Sequence, residues 1–205
     1  VKRTASFIVL VGIAASASAQ VVFMNPWDAN ATDAGAFSQP SQTLAGEFDL
    51  SANAGVSSAS WRGTMFSADP LDTGDMWNFD LNFHADNGGQ PGSIIEMRSV
   101  SAFVTDTGVD ISGERVYEFD ADFSSVALSG STTYFFSVIN TQQDNTFRWN
   151  IGTDTNYSGW FTSDNGNSWA DLQTRAPLNF TLSVPAPSSV ALLGFAGAIA
   201  SRRRR

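Results

Sequence analysis

The sequence has no cysteine and a single histidine, His84. The first absence excludes disulfides and cysteine-held zinc. The second leaves no His-rich metal site and no Ser–His triad with a second histidine to spare. Lysine is missing from residues 20–184. That stretch holds five arginines against all twenty acidic residues of the chain, a net charge of −15, compared with −9 for the full sequence. A surface of that sign repels nucleic acid and anionic lipid and favours solubility. The same stretch has no segment with a convincing helical period and no internal repeat of the kind that builds propellers or solenoids. At about 165 residues it can still bury a sizeable core without covalent staples.

What is present is alternation. In WNFDLNFHA (77–85), Trp77, Phe79, Leu81 and Phe83 alternate with Asn78, Asp80, Asn82 and His84. That is the period-two signature of a strand with one buried and one wet face, and it places His84 at the surface. Tyr117, Phe119, Ala121 and Phe123 alternate with Glu118, Asp120 and Asp122, and Phe147, Trp149 and Ile151 with Arg148 and Asn150. Leu178, Phe180, Leu182 and Val184 repeat the pattern, and the nearly continuous apolar run 132–140 reads as a central strand. Further strands are expected in 46–51, 58–66, 94–104 and 157–162. Gly/Asn/Asp-rich turns punctuate them, among them Asp106-Thr107-Gly108 and ADNGGQPG (85–92). Short strands at this spacing predict an all-β fold: an antiparallel β-sandwich, jelly-roll-like, over 46–184, behind an irregular lead-in (20–45) with one short edge strand.

Three constellations carry chemical content. TSDNGNSW (162–169) resembles an Asp-box, the hairpin of sialidase-like propellers and other secreted β proteins. Asp164 can fold back on backbone N–H groups, Gly166 supplies a positive φ and Trp169 plugs the hairpin into the core, so its expected role is structural. Glu118, Asp120 and Asp122 share one strand face. Neighbours at i and i+2 lie roughly 7 Å apart, which would allow glycoside hydrolysis, but an acidic stripe on an edge-facing strand is also a solvated face that blocks aggregation. Among six tryptophans, Trp77 and Trp149 fall on core parity and Trp61 is ambiguous. Trp160, in YSGWF with Tyr157, is the best candidate for an exposed glycan-stacking platform. ADNGGQPG lacks the spaced ligands of an EF-hand and reads as a hairpin loop. No residue takes a catalytic or metal role, and no cofactor is expected.

The two ends differ from the middle. VKRTASFIVLVGIAASASAQ has Lys2 and Arg3, an apolar run and an A-x-A site at Ala17-Ser18-Ala19. This is the pattern of a secretory signal peptide over 1–19 with a helical apolar core, cleaved to leave Gln20 first. The other end reads VPAPSSVALLGFAGAIASRRRR. Its apolar run, Val190–Ala200, would make a helix of only about 17 Å against a bilayer core of roughly 30 Å. It is short for a permanent span, and Arg202, Arg203, Arg204 and Arg205 would hold that end on the cytoplasmic side.

Pro-x-Pro, a short apolar run and a terminal arginine cluster together resemble the PEP-CTERM sorting signal of exported bacterial proteins, a tail also classed as an ice-binding protein C-terminal domain. The resemblance covers residues 185–205. It implies transient inner-membrane contact, recognition of Pro185 and Pro187 by an exosortase-like membrane protease, Arg202–Arg205 as the basic stop, and release to the cell surface or extracellular polysaccharide matrix. The family's central Glu is Ala186 here. WRGTMF (61–66), the QPG loop and GSTTYFFSV (130–138) also look like the β-sandwich domains that often precede such tails. The expectation is an exported, non-enzymatic structural or adhesive protein that touches extracellular polysaccharide. A glycosidase using the strand carboxylates is the alternative. An ice-binding protein is another, although it would call for a flat array of regularly spaced Thr or Asn, and no such repeat is present.

Overall fold

A computed structural model describes residues 19–30, 35–65, 71, 73–142, 147–164, 166–172 and 177–185. Residues Gln20–Pro185 form a compact unit. Its elements are β1 (Gln20–Asn25), β2 (Ala36–Phe37), β3 (Thr43–Asp49), β4 (Ala54–Met65), β5 (Met76–Asp86) and β6 (Pro91–Ile111). Then come β7 (Glu114–Leu128), β8 (Thr133–Asn140), β9 (Phe147–Trp149), β10 (Gly159–Thr162), β11 (Ala170–Asp171) and β12 (Phe180–Val184). The protein is all-β and antiparallel, with no helix among the described residues. The helices expected near the two termini fall in 1–18 and 186–205, outside the described residues.

The strands run β1-β12-β4-β7-β6-β5-β8-β3-β10-β11, with β9 bridging β2 and β4 off that path. The lead-in supplies the edge strand β1, the short β2 and the start of β3. β7 is not at an edge: β4 and β6 flank it. Its acidic stripe is therefore the outer face of an interior strand.

The sheet curls until one face meets itself. Phe180 on β12 packs 6.0 Å from Phe48 on β3 and 5.1 Å from Phe136 on β8, although these strands are far apart in the strand order. Phe79 on β5 stands edge-on to Trp61 at 5.1 Å, Phe119 at 5.2 Å and Phe147 at 5.2 Å. Edge-to-face contacts suit the ring quadrupoles and fill the interior with few rotatable bonds. Trp77 and Trp149 are core as expected, and Trp61 joins them at 1% exposure. Gly63 explains the glycine in WRGTMF. A Cβ there would lie 2.2 Å from Cε2 of Phe147 and 2.6 Å from the Arg148 carbonyl, so β9 can approach β4 only because no side chain intervenes.

Two local departures have simple causes. Asp106-Thr107-Gly108, expected as a turn, lies inside β6 as an irregularity of its pairing with β7. The Thr107 hydroxyl donates to the Val116 carbonyl (2.7 Å) and Asp106 Oδ1 accepts the Gly108 N–H (2.8 Å), which stitches the extra residues in place. The true turn is Ser112-Gly113, both at positive φ (53° and 83°), the two-residue geometry that matches strand twist. The second departure is at residue 178. The expected strand begins two residues later, because the Asn179 side chain replaces a peptide group. Its Oδ1 accepts the Arg62 N–H (2.7 Å), while Nδ2 donates to the carbonyls of Arg62 (3.1 Å) and Asn150 (2.8 Å).

Candidate functional site

The Asp-box sequence forms the loop joining β10 to β11, with Phe161 paired to Ala170 and Trp160 to Asp171. Asp164 Oδ1 accepts the Ser168 N–H (2.9 Å) and the Thr162 hydroxyl (2.6 Å), and Oδ2 accepts the Ser168 hydroxyl (2.5 Å). These donors hold the Asp164 carboxyl down at about 2. Gly166 has φ +83°, as the motif requires. Trp169 does not plug into the core as expected: the loop carries it, half-buried, onto the outer face of β5, edge-on to His84 with ring centres 5.5 Å apart.

That placement overturns the surface reading of His84, which is only 3% exposed. Its strand parity is outward, but the hairpin roofs the outer face at this point. Its Nδ1 lies 3.3 Å from the Gly92 carbonyl and its Nε2 2.9 Å from the Ser137 hydroxyl. The network assigns the neutral tautomer with the proton on Nδ1, donating to Gly92, while Nε2 accepts from Ser137. Burial drives the His84 pKa down to about 4, against a smaller upward pull from the Gly92 carbonyl. The Ser137–His84 pair has the spacing of a nucleophile and its base, but Ser137 is fully buried in β8. A base this weak is also poorly matched to neutral pH.

The depressed pKa carries a stability consequence. Between about pH 6.5 and 4 the unfolded chain binds a proton at this position that the folded chain does not. His84 therefore contributes roughly 3 kcal/mol that is fully present above pH 6.5 and lost as pH falls toward 4. In thermal or urea melts the wild type should lose stability across that window more steeply than His84→Gln. Parallel curves for the two proteins would contradict the assignment.

Beside His84 a cleft of about 430 Å³ opens between the hairpin, β5 and the start of β6, with Asp80, Asn82, His84, Ile94, Thr162 and Trp169 on its walls. Across the strands Asp80 faces Ile139 and Thr162 faces Thr43, two more wall residues. The pairing of β3 with β8 runs from Asp49 to Gly46. Beyond it the Ser38 hydroxyl accepts the Leu44 N–H (3.3 Å) and donates to the Val138 carbonyl. Asp80 Oδ1 accepts the Ser99 hydroxyl (2.6 Å). Two buried polar atoms of the walls have no partner, Asn82 Oδ1 and Trp169 Nε1.

A second hollow of about 340 Å³ lies beside Arg62, whose guanidinium sits 4.9 Å over the Trp27 ring and 2.7 Å from Glu118. That ion pair ties up one of the three stripe carboxylates. Asp120 and Asp122 are exposed. The Asp120 carboxyl is raised by partial burial, then by Glu118 and Asp122, with Arg62 opposing. Neither Trp160 nor Tyr157 lines the two hollows. Trp160 is half-buried and its Nε1 donates to Ser158 Oγ (2.9 Å). The Tyr157 hydroxyl donates to Asp49 (2.8 Å), and burial with that bond pushes its pKa up to about 12. In ADNGGQPG, Asp86 Oδ1 accepts the Gly89 N–H (2.7 Å), which closes a hairpin loop. Among the described residues no group of three or more His, Asp or Glu could hold a metal ion.

Of the terminal signals, Ala19, Gln20 and Pro185 are described and exposed. Ala17, Pro187 and Arg202–Arg205 lie outside the described residues. The fold and cleft define an all-β antiparallel protein with a small, largely apolar cleft under the hairpin of residues 162–169. No protein-family model and no curated protein matches the sequence.

Proposed function

We propose that the chain is an exported, non-enzymatic surface or extracellular-matrix protein whose β-unit is a jelly-roll-like sandwich. Residues 1–19 would direct export. Residues 185–205 would hold the chain transiently at the inner membrane until an exosortase-like protease releases it. One observation carries this reading. The compact unit begins at Gln20, the residue an A-x-A cleavage would leave first, and ends at Pro185, the first proline of the tail. Gln20 and Val184 are register partners in β1 and β12. The β1–β12 ladder therefore closes on residues that both cleavages would retain, and trimming the chain to them would cost that ladder no hydrogen bond.

Charge supports the same assignment. The four described arginines are all ion-paired: Arg62 with Glu118, Arg98 with Glu96, Arg115 with Asp106 and Asp110, and Arg148 with Glu114. An acidic surface with its cations so engaged has little to offer nucleic acid or anionic lipid. The glycosidase alternative draws less support, because Glu118 is held by Arg62 through two hydrogen bonds (2.9 and 2.7 Å). Fractionation of cells making the protein should place it outside the cytoplasmic membrane. Recovery in the cytosol would overturn the proposal.

A further inference from the structure

We propose that the cleft under the Asp-box hairpin binds one neutral sugar unit of a polysaccharide, with Asn82 and Trp169 as its hydrogen-bonding anchors. The proposal deepens the surface-protein reading by giving it a ligand class, and it rests on that reading only for where the ligand is met.

Two unmet hydrogen bonds belong to residues of the cleft wall. Asn82 is 5% exposed, its Oδ1 has no partner, and the residue forms part of the cleft wall. Trp169 Nε1, on the facing hairpin, is also buried and unpartnered. An orphaned buried polar group costs stability, and natural folds leave few of them. Here an acceptor and a donor are orphaned in the walls of one cleft. A hydroxyl group both donates and accepts, so a polyol satisfies the pair where a purely anionic or purely cationic ligand cannot.

The remaining walls narrow the class. Among the described residues no lysine or arginine lines the cleft, which disfavours a phosphate or carboxylate ligand. Asp80 is the only carboxylate among them and already accepts from Ser99, too little oxygen charge for a divalent cation. Thr43 adds a hydroxyl, that of Thr162 being taken up by Asp164, while Ile94, Ile139 and Trp169 add apolar surface. That mixture suits a pyranose ring, whose C–H face is apolar and whose rim is hydroxylated. The volume falls within the range of small-molecule pockets, about 300–1,000 Å³. The hairpin that builds one wall is pinned through Asp164, which fixes the backbone of that wall.

The test uses the full chain labelled with nitrogen-15. Methyl glycosides of glucose, galactose, mannose and N-acetylglucosamine are each titrated to about 50 mM, the range for millimolar affinity. The indole N–H signal of Trp169, assigned with Trp169→Phe, should move saturably with at least one probe. Asn82→Leu should weaken that binding at least about tenfold while leaving the melting temperature unchanged or higher, because the orphaned acceptor is removed. A merely structural Asn82 would instead lower the melting temperature. If Asn82→Leu does not fold, Ile94→Trp serves, since Ile94 is exposed at the rim (52%) and a larger ring there blocks entry. No movement of the Trp169 signal with any probe, or native binding by whichever of these variants folds, overturns the proposal. A chain that fractionates outside the cell yet binds no probe leaves the surface reading standing. Binding by a chain found in the cytosol does the converse.

Discussion

Phe79→Ala is expected to lower the unfolding free energy by about 4 kcal/mol. Phe79 has no exposed surface and stands edge-on to Trp61, Phe119 and Phe147. Those three rings come from β4, β7 and β9. Phe79 is therefore the point at which β5 packs inside the curl against β4, β7 and β9. Truncation loses the transfer energy of the ring and leaves a cavity whose walls are rigid aromatics, which collapse poorly. Phe79→Leu retains most of the apolar volume and should cost visibly less. Urea denaturation of the two variants beside wild type measures this. A loss under about 1 kcal/mol for alanine would mean the sheet does not close on Phe79.

The second large effect is expected at Asn179. Its carboxamide stands in for a peptide group between Arg62 and Asn150. Asn179→Leu leaves the Arg62 N–H without its acceptor and removes two donated bonds, a loss of about 3 kcal/mol. Asn179→Asp should be at least as damaging. It retains an acceptor for the Arg62 N–H but turns a carboxylate oxygen toward the Arg62 and Asn150 carbonyls, with no donor between them. If the Asn179→Asp variant resisted chemical denaturation as well as the wild type, the amide would not be acting as a strand surrogate.

Local rules made much of this fold readable in advance. Period-two alternation placed Phe79, Phe119, Phe147 and Trp149 on the buried face, and all four are buried. The Asp164 turn was readable because its hydrogen bonds stay within a few residues, from Thr162 to Ser168, whereas Trp169, expected in the core, lies half-buried against His84. Long-range cover was not readable. Asn82 and His84 sit on the polar parity of β5, and nothing within 77–85 says that a hairpin much later in the chain will roof them. The same ignorance raised Trp160 and Tyr157 as the exposed pair, although Ser158 and Asp49 take up their polar atoms. Asp106-Thr107-Gly108 has turn chemistry, yet a bulge uses the same residue types, and only the partner strand decides between them.

Gln20–Pro185 is proposed as the working protein, with both flanking segments serving as addresses. Intact-mass spectrometry of the chain recovered from outside the cells that make it tests this most directly. The expected species begins at Gln20 and has lost Arg202–Arg205. A chain that still carries Lys2 and Arg3 at one end and Arg205 at the other would contradict it.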